Sequence, residues 1–305
     1  MGGAAVSLQI QELSGSAYRA EPFNVPIQKC KNGLPTPSAD CIATTVGHSP
    51  VAALVDPAAA SRTAVAEALS NIVFAPIKNG LSGISLSANW MWACNNEGED
   101  ARLYEAVQSC SDFAIALGIN IPTGKDSLSM KQKYPDGDVI APGTVIISAA
   151  GNCTDINNFK LGVLLLPRFK ISRYGSTTIT DAAYFRKAFN TIQDLITADQ
   201  IAAGHDVGSG GLVTTLLELC FADVNLAANY DLSGLQETDS VKALFNENIA
   251  VVLQAKNDAA FEKALTENGI EAVKIGEVVR RCCCNIQDMK ICLLFNVAED
   301  KRYLV

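Results

Sequence analysis

The fold is decided by the stretch Asp56-Pro-Ala-Ala-Ala-Ser-Arg-Thr-Ala-Val-Ala-Glu-Ala-Leu-Ser-Asn-Ile-Val-Phe74. Asp56 is suited to cap a helix and Pro57 to occupy its first position, so the sequence predicts a helix over most of this stretch. In such a helix Glu67 and Asn71 share one face, because residues four apart are neighbours on the helix surface.

Segments after this helix alternate between strand and helix patterns, whereas residues 1 to about 50 lack periodicity and predict loops with short strands. They predict strands at 84–92, 144–150, 161–166, 249–254 and 272–279, and helices at 100–117, 181–198, 212–221 and 258–268. The pattern restarts near residue 157, and 305 residues exceed the usual size of one domain. We therefore expect two domains, 1–156 and 157–305.

Composition and charge exclude several classes of protein. A net charge of −8 with no cluster of Lys and Arg argues against a nucleic-acid or anionic-membrane partner. The longest apolar run is only of strand length, and the N-terminus lacks the pattern of a secretory signal, so a cytosolic protein is expected. Isolated cysteines in apolar segments are typical of free thiols in a reducing compartment, as at Cys94, Cys110, Cys153 and Cys220.

Three motifs carry possible chemistry, and the first is the pair Glu67 and Asn71. Both side chains offer oxygen, the ligand that Mg²⁺ prefers, and such a pair can bridge a magnesium ion to nucleotide phosphates. An ordinary solvated pair on a helix surface explains the same spacing.

The second motif is Pro122-Thr-Gly-Lys-Asp-Ser-Leu-Ser-Met130. It lacks the glycine spacing of a Walker A phosphate loop. Even so, Gly124 would let a phosphate approach the backbone, Lys125 supplies a positive charge, and Ser127 offers an oxygen to substrate or metal. Taken alone, the string fits a binding loop and an ordinary loop equally well.

The third motif is Gly204-His-Asp-Val-Gly-Ser-Gly-Gly-Leu212, a glycine-rich turn before an apolar helix. Free amides at a helix start can hold an anion, and Asp206 could hold the accompanying cation. A plain connector also fits.

The sequence disfavours two other kinds of chemistry. With only two histidines and no nucleophile elbow, hydrolase chemistry is disfavoured. The cysteines at 282–284 lack the spacing of a zinc site.

Read in order, these motifs resemble the phosphoribosylformylglycinamidine synthase family, within the aminoimidazole-ribonucleotide-synthetase superfamily. The resemblance also rests on Ser87-Ala-Asn-Trp90, Glu99-Asp-Ala-Arg-Leu-Tyr-Glu-Ala-Val107 and Leu244-Phe-Asn-Glu-Asn248. It points to the second half of the synthetase region in the large, single-chain form. The fold that this resemblance implies is α+β, a two-domain unit that forms half of a pseudo-dimeric barrel.

The resemblance also implies a reaction and its site residues. The family is an ATP-dependent carbon-nitrogen ligase of glutamine amidotransferase type, which converts formylglycinamide ribonucleotide to its amidine in purine biosynthesis. By residue-by-residue transfer, Glu67, Asn71 and Asp206 would bind Mg²⁺ beside an auxiliary ATP or ADP. The catalytic half-site would contain Lys125 and Ser127, and the nucleotide contacts would include Ser87, Asn89, Gly124 and Gly208.

Two departures from the family pattern concern the metal and phosphate contacts. Lys29 stands where the family has a magnesium aspartate, and Gly208-Ser209 stands where it usually has Ser-Asp. The first synthetase half and the glutaminase domain also fall outside the sequence. We therefore expect a chain that is inactive alone, whose missing partners are those two parts.

We also expect self-association, and two alternative functions remain open. A synthetase half isolated from its other half would expose an apolar sheet face, which predicts a homodimer. One alternative is a structural module that binds nucleotide without turnover. The other is a different superfamily enzyme, such as aminoimidazole ribonucleotide synthetase, against which the long Gly-Lys-Asp-Ser-Leu-Ser-Met match argues.

Overall fold

The computed structural model describes residues 9–12, 41–155, 158, 169–173, 179–221, 227–235, 237–279, 283–287 and 292–296. These residues form two compact units. The N-terminal unit contains those within Ala5–Asn157 and Gly175–Phe189, and the C-terminal unit contains those within Asn158–Tyr174 and Asn190–Val305.

The N-terminal unit is built on one five-stranded sheet with the strand order β1-β2-β7-β3-β4. Only β3 and β4 pair in parallel, and the other neighbours pair antiparallel. β5 and β6 form a separate two-stranded ribbon. The elements are β1 (Gln9–Glu12), β2 (Cys41–His48), α1 (Pro50–Val55), α2 (Pro57–Ile72), β3 (Ile84–Met91), α3 (Glu99–Leu117), β4 (Asn120–Ser127), β5 (Lys131–Tyr134), β6 (Gly137–Ile140) and β7 (Thr144–Cys153).

Helix α2 forms because its start is capped and its small side chains allow close packing. The carboxylate of Asp56 accepts a hydrogen bond from the Ala59 backbone N–H at 2.8 Å. Against β2, the helix comes so near that a Cβ atom on Gly47 would lie 2.3 Å from the carbonyl oxygen of Ala64. Glycine is therefore required at this crossing, since any side chain would overlap the helix backbone.

The C-terminal unit contains a seven-stranded sheet with the order β14-β13-β10-β12-β8-β11-β9. Its strands are β8 (Phe169–Arg173), β9 (Ile201–Val207), β10 (Ala227–Asp231), β11 (Ala250–Ala255), β12 (Ala272–Val279), β13 (Cys283–Gln287) and β14 (Cys292–Asn296). The helices are α4 (Ala182–Thr197), whose first half belongs to the N-terminal unit, α5 (Gly211–Cys220), α6 (Ser240–Phe245) and α7 (Asp258–Glu267).

The apolar side of α5 supplies much of the C-terminal core. Leu216 and Leu219 are fully buried, together with Val252 of β11 and Ile275 of β12. The hydroxyl of Tyr230 donates to the Leu216 carbonyl at 3.2 Å, so this buried polar group is satisfied. The glycine-rich turn before α5 is thereby attached to a rigid helix.

The α+β class is confirmed, and the predicted strands 84–92, 144–150, 249–254 and 272–279 appear as β3, β7, β11 and β12. The predicted helices appear as α2, α3, α4, α5 and α7, while the predicted strand 161–166 lies outside the described residues. The described residues also form strands whose positions were not predicted, including β2, β4, β9 and β10, and β13 and β14 follow Val279, after which no element was predicted. Within the described ranges, no helix has the length and apolarity needed to cross a bilayer.

The packing of α2 on β2 yields a stability prediction. Gly47→Ala should destabilise the N-terminal unit by about 1–3 kcal/mol, the usual cost of overpacking a close contact. The measurement is urea unfolding followed by tryptophan fluorescence, because both tryptophans, Trp90 and Trp92, lie in this unit.

Gly98→Ala is the control, because Gly98 has φ 79° and open space around its Cβ position. Only backbone strain of about 1 kcal/mol is expected there. A Gly47→Ala variant that is no less stable than Gly98→Ala would contradict the close packing.

Candidate functional site

The parallel strands β3 and β4 bring together five of the residues predicted from the sequence. Their register places Ser87 opposite Thr123, Ala88 opposite Gly124 and Asn89 opposite Lys125, with Ser127 two residues further along β4. Ser87, Asn89 and Ser127 are half-buried, whereas Gly124 and Lys125 are exposed. Residues far apart in sequence thus form one continuous polar surface.

Lys125 is the cation of this surface. Its ammonium group donates to the hydroxyl of Ser127 and, at 2.9 Å, to the backbone carbonyl of Asp126. Because Lys125 is exposed, its charge stays available to an anionic group, while the two hydrogen bonds hold it over the end of β4.

Asn89 adds an acceptor to the same surface. Its side-chain oxygen is buried and has no hydrogen-bond partner. The hydroxyl oxygen of Thr144 is likewise buried and without a hydrogen-bond partner. Thr144, in β7, pairs with Met91 of β3. Asn89 is two residues before Met91 and points to the same side of the sheet, so Thr144 and Asn89 share one sheet face. Unpaired buried polar atoms cost free energy, and a bound ligand could supply the missing partners. No sequence signal marked Thr144, since its role depends on pairing across strands.

Gly124 has a structural role that the sequence did not reveal. A Cβ atom at this position would lie 2.3 Å from the carbonyl oxygen of Ala88 on β3. Glycine is therefore needed for the close pairing of β3 with β4, independently of any phosphate.

Glu67 and Asn71 form a buried pair, so the solvated-pair interpretation is wrong. Their exposed fractions are 5% and 6%. Glu67 accepts a hydrogen bond from the backbone N–H of His48 at 2.6 Å, and the Asn71 amide donates to the Val46 carbonyl at 3.1 Å. The His48 ring nitrogen Nδ1 also lies 3.7 Å from Glu67. Both oxygen-bearing side chains are therefore held in place by the end of β2.

In the C-terminal unit, Asp206 lies near the end of β9 and is buried, with an exposed fraction of 7%. Its backbone carbonyl accepts hydrogen bonds from the Thr215 hydroxyl at 2.9 Å and contacts His205 Nδ1 at 2.8 Å. His205 Nε2 lies 3.3 Å from the carboxylate of Glu218. Helix α5 thus supplies two side chains that fix the end of β9.

The pKa of His205 reflects these neighbours. Burial alone would lower it, but the hydrogen bond to Glu218 and the negative charges of Asp206 and Glu218 outweigh burial and raise the pKa from 6.5 to about 9. His205 is therefore an imidazolium at neutral pH in the metal-free chain. It stabilises the folded state fully below pH 6.5, and this contribution is lost as the pH rises through about 9.

The glycine-rich turn before α5 contains backbone conformations that favour glycine. Gly210 and Gly211 have φ values of 89° and 75°, which favour glycine. The Gly210 N–H donates to the carboxylate of Glu247 at 2.8 Å. The carboxylate of Glu247 thus occupies an amide at the start of α5, where the sequence suggested that a ligand anion could bind. Gly208 is half-buried, and its carbonyl accepts from the Gly211 N–H at 3.0 Å.

The convergence of Glu67, Asn71 and Asp206 on one ion stays a prediction. In the part of the chain that is described, no three His, Cys, Asp or Glu side chains gather as a metal site would require. That finding leaves the predicted trio open, because one of its three ligands is an amide.

Two family models match consecutive parts of the chain. The FGAR-AT PurM_N-like domain matches residues 17–152, and the C-terminal domain of AIR synthase related proteins matches residues 141–287. Together they define the class: a two-domain protein related to AIR synthase.

Two relatives indicate which family within this class the chain belongs to. The chain is 35% identical over 282 residues to phosphoribosylformylglycinamidine synthase of Saccharomyces cerevisiae, covering 82% of this chain and 20% of the relative. It is 37% identical over 265 residues to an Arabidopsis thaliana protein named "Probable phosphoribosylformylglycinamidine synthase, chloroplastic/mitochondrial", covering 77% and 18%. The chain belongs to the phosphoribosylformylglycinamidine synthase family and spans about a fifth of the length of these relatives.

Solved structures support the same fold. PurLQS of Thermotoga maritima matches with a TM-score of 0.68 at 12% identity, covering 85% of this chain and 44% of that chain. T. maritima PurL complexed with FGAR matches at 0.64 and 12%, covering 85% and 45%. The hydrogenase maturation protein HypE of E. coli matches at 0.57 and 18%, covering 84% and 85%. At these identities the similarity shows the fold alone.

The pairing of His205 with Glu218 gives a second prediction. Glu218→Gln should lower the pKa of His205 from about 9 toward its ordinary value of 6.5, because the negative acceptor is removed. NMR titration of the imidazole in metal-free protein measures this, and with only two histidines the signals are readily assigned. Glu267→Gln, on the exposed surface of α7, is the control and should change nothing. An unchanged pKa in Glu218→Gln would refute the pairing.

Proposed function

We propose that this chain supplies part of the ATP-dependent amidine-forming site of a phosphoribosylformylglycinamidine synthase. The observation that carries the proposal is the polar surface on β3 and β4, where Asn89, Lys125 and Ser127 lie together in a chain of this family. The reaction would transfer phosphate from ATP to the formamide oxygen of formylglycinamide ribonucleotide, after which ammonia displaces the phosphate.

Phosphoryl transfer depends mainly on positioning and on neutralising charge. The ammonium group of Lys125 would neutralise a phosphate or the developing negative charge at the reacting oxygen. Ser127 would orient that ammonium group, with which it is already hydrogen-bonded. Ser87 and Asn89 would contact the nucleotide or substrate from β3, and Gly124 would keep the two strands close enough for both to reach it.

We further propose that Glu67, Asn71 and Asp206 bind Mg²⁺ for an auxiliary ATP or ADP. Their donors fit, because Mg²⁺ takes oxygen ligands and the buried Glu67 and Asn71 are already oriented by β2. Bound magnesium would neutralise nucleotide phosphates. Gly208 would approach the nucleotide through its backbone only, since it lacks the hydroxyl usual in the family. Lys29, the other departure, lies outside the described residues.

A second candidate is a structural module that holds nucleotide without turnover. One observation favours it: the chain spans about a fifth of the length of its relatives. In this case nucleotide would stabilise the fold, and the polar surface on β3 and β4 would lie unused.

The partners follow from the same proposal. The missing first synthetase half and a glutaminase domain would complete the site, with ammonia derived from glutamine. Pairing of two copies into a homodimer is the alternative way to form the barrel from this half. The proposed division is 1–156 and 157–305, and the proposed location is the cytosol, with no nucleic-acid or membrane partner.

If the three proposed ligands share one ion, single substitutions should have equivalent effects. Asp206→Asn is expected to weaken Mg-ADP binding by about 1–3 kcal/mol, the scale of losing a charged contact, and Glu67→Gln by a similar amount. Isothermal titration calorimetry gives the affinities, and the double variant should lose little more than either single one.

Asp194→Asn, at an exposed carboxylate of α4, is the matched control and should bind as the parent chain does. Fully additive losses would show separate sites. Unchanged affinity in Asp206→Asn would remove this residue from the site.

The proposed half-site gives a further prediction. Alone, this chain should form no amidine product from ATP, Mg²⁺, formylglycinamide ribonucleotide and ammonium, because the proposal assigns the other half of the catalytic site to a different segment. Product formation is followed by chromatography, with a full-length relative as the positive control. Turnover at an ordinary enzymatic rate of about 1 s⁻¹ or more would contradict the proposed half-site.

A further inference from the structure

We propose that Cys41 and Cys153 form an oxidation site, in which the two thiols are converted into a disulfide that links β2 to β7. Nothing in the proposed synthetase chemistry uses either residue. The site takes a low-molecular-weight disulfide, such as oxidised glutathione, as its oxidant.

The backbone register places the two cysteines directly opposite each other. Cys41 begins β2 and pairs with Cys153 at the end of β7 in an antiparallel ladder. Opposite residues in such a ladder have Cα atoms about 4.5 or 5.5 Å apart, depending on the hydrogen-bonding position. Both separations lie within the range of about 4.4–6.8 Å that a disulfide accepts. No backbone movement is therefore needed to join them.

The side chains also meet. Both cysteines are buried, with exposed fractions of 1% and 0%, and both are reduced thiols rather than parts of a disulfide. They are hydrogen-bonded to each other, and this bond together with burial raises the pKa of Cys153 well above its ordinary value. The two sulfur atoms thus already lie on the same side of the sheet and in contact.

The reaction balances as two successive exchanges. One cysteine loses its proton and attacks a sulfur of oxidised glutathione, which breaks that disulfide and releases one glutathione thiolate. The second cysteine, also deprotonated, attacks the mixed disulfide and releases the second glutathione. Two protein thiols are oxidised, one glutathione disulfide is reduced to two thiols, and the two protons pass to the leaving thiolates.

Burial determines how fast this happens. A protonated, buried thiol is a poor nucleophile, so the closed fold protects the pair. Cys41 is the first residue of its strand, and strand ends open more readily than strand centres. Oxidation should therefore proceed through local opening of the start of β2 and be slow under native conditions.

The disulfide would close a long stretch of chain, from Cys41 to Cys153, that includes α2, α3 and β3. Such a link restricts the unfolded chain and stabilises the folded state. It would also fix β2 against β7 in the register that the reduced protein shows.

The test uses the whole chain incubated with oxidised glutathione, followed by alkylation of free thiols, digestion and mass spectrometry of crosslinked peptides. The expected result is a peptide pair joined through Cys41 and Cys153, about 2 Da lighter than the reduced pair. The thermal unfolding midpoint of the N-terminal unit, read from tryptophan fluorescence, should rise by about 5 °C or more and return on reduction.

Two variants separate this site from the other thiols. Cys153→Ala should lose both the crosslink and the rise in midpoint. Cys110→Ala should keep them, because Cys110 is equally buried but lies on α3, where burial raises its pKa to about 12.

Three outcomes would overturn the proposal. The first is oxidised protein in which Cys41 and Cys153 both remain alkylatable. The second is a stable mixed disulfide with glutathione at either residue. The third is a crosslink only between Cys220 and Cys284, whose thiols are also hydrogen-bonded to each other. All three are read from the parent chain, so the test stands even if a variant fails to fold.

Discussion

The contact of helix α2 with strand β2 is the constraint on which the N-terminal unit depends. At Gly47 no side chain separates the strand from the helix, and the hydroxyl of Thr45 donates to the Ala68 carbonyl at 2.6 Å. Further along, Glu67 and Asn71 hydrogen-bond to the backbone of the same strand. Four consecutive contacts thus fix the rotation and height of the helix. Two candidate magnesium ligands are buried without losing their orientation, because the strand that buries them also provides their partners.

A second constraint acts at the opposite edge of the sheet, where β3 pairs with β4. Parallel strands cannot be joined by a tight turn, so α3 must carry the chain from β3 back to the start of β4. This crossover lets Asn89 and Lys125 lie opposite each other. The close approach at Gly124 then holds the strands in one register, since a shift by one residue would turn Lys125 to the opposite face. The candidate catalytic surface is a product of strand topology rather than of a local loop.

Much of this could be predicted from the sequence because local signals agreed. Asp56 and Pro57 mark the start of α2, and Gly118, with φ 70°, ends α3 as its sequence indicates. The candidate site residues were predicted from their motifs and from the family resemblance. Strand β4 was missed because it contains residues of low strand propensity, namely Pro122, Gly124, Lys125, Asp126 and Ser127. Pairing with β3 overrides that propensity. Glu247 at the start of α5, Thr144 beside Asn89 and the opposed cysteines were also missed. Each depends on a contact between distant segments, which periodicity does not encode.

The strand order of the N-terminal sheet has a consequence for how the protein is made. β7 is the last strand of that sheet to be synthesised, yet it lies in the middle, paired with β2 on one side and β3 on the other. While the ribosome is still translating residues before Thr144, β2 with α2 and β3 with β4 can exist only as separate fragments whose apolar faces are uncovered. At usual rates of roughly 5–20 residues per second, that exposure lasts several seconds. The nascent chain therefore passes through an interval in which binding by a chaperone would matter most, and release of β7 from the exit tunnel ends it.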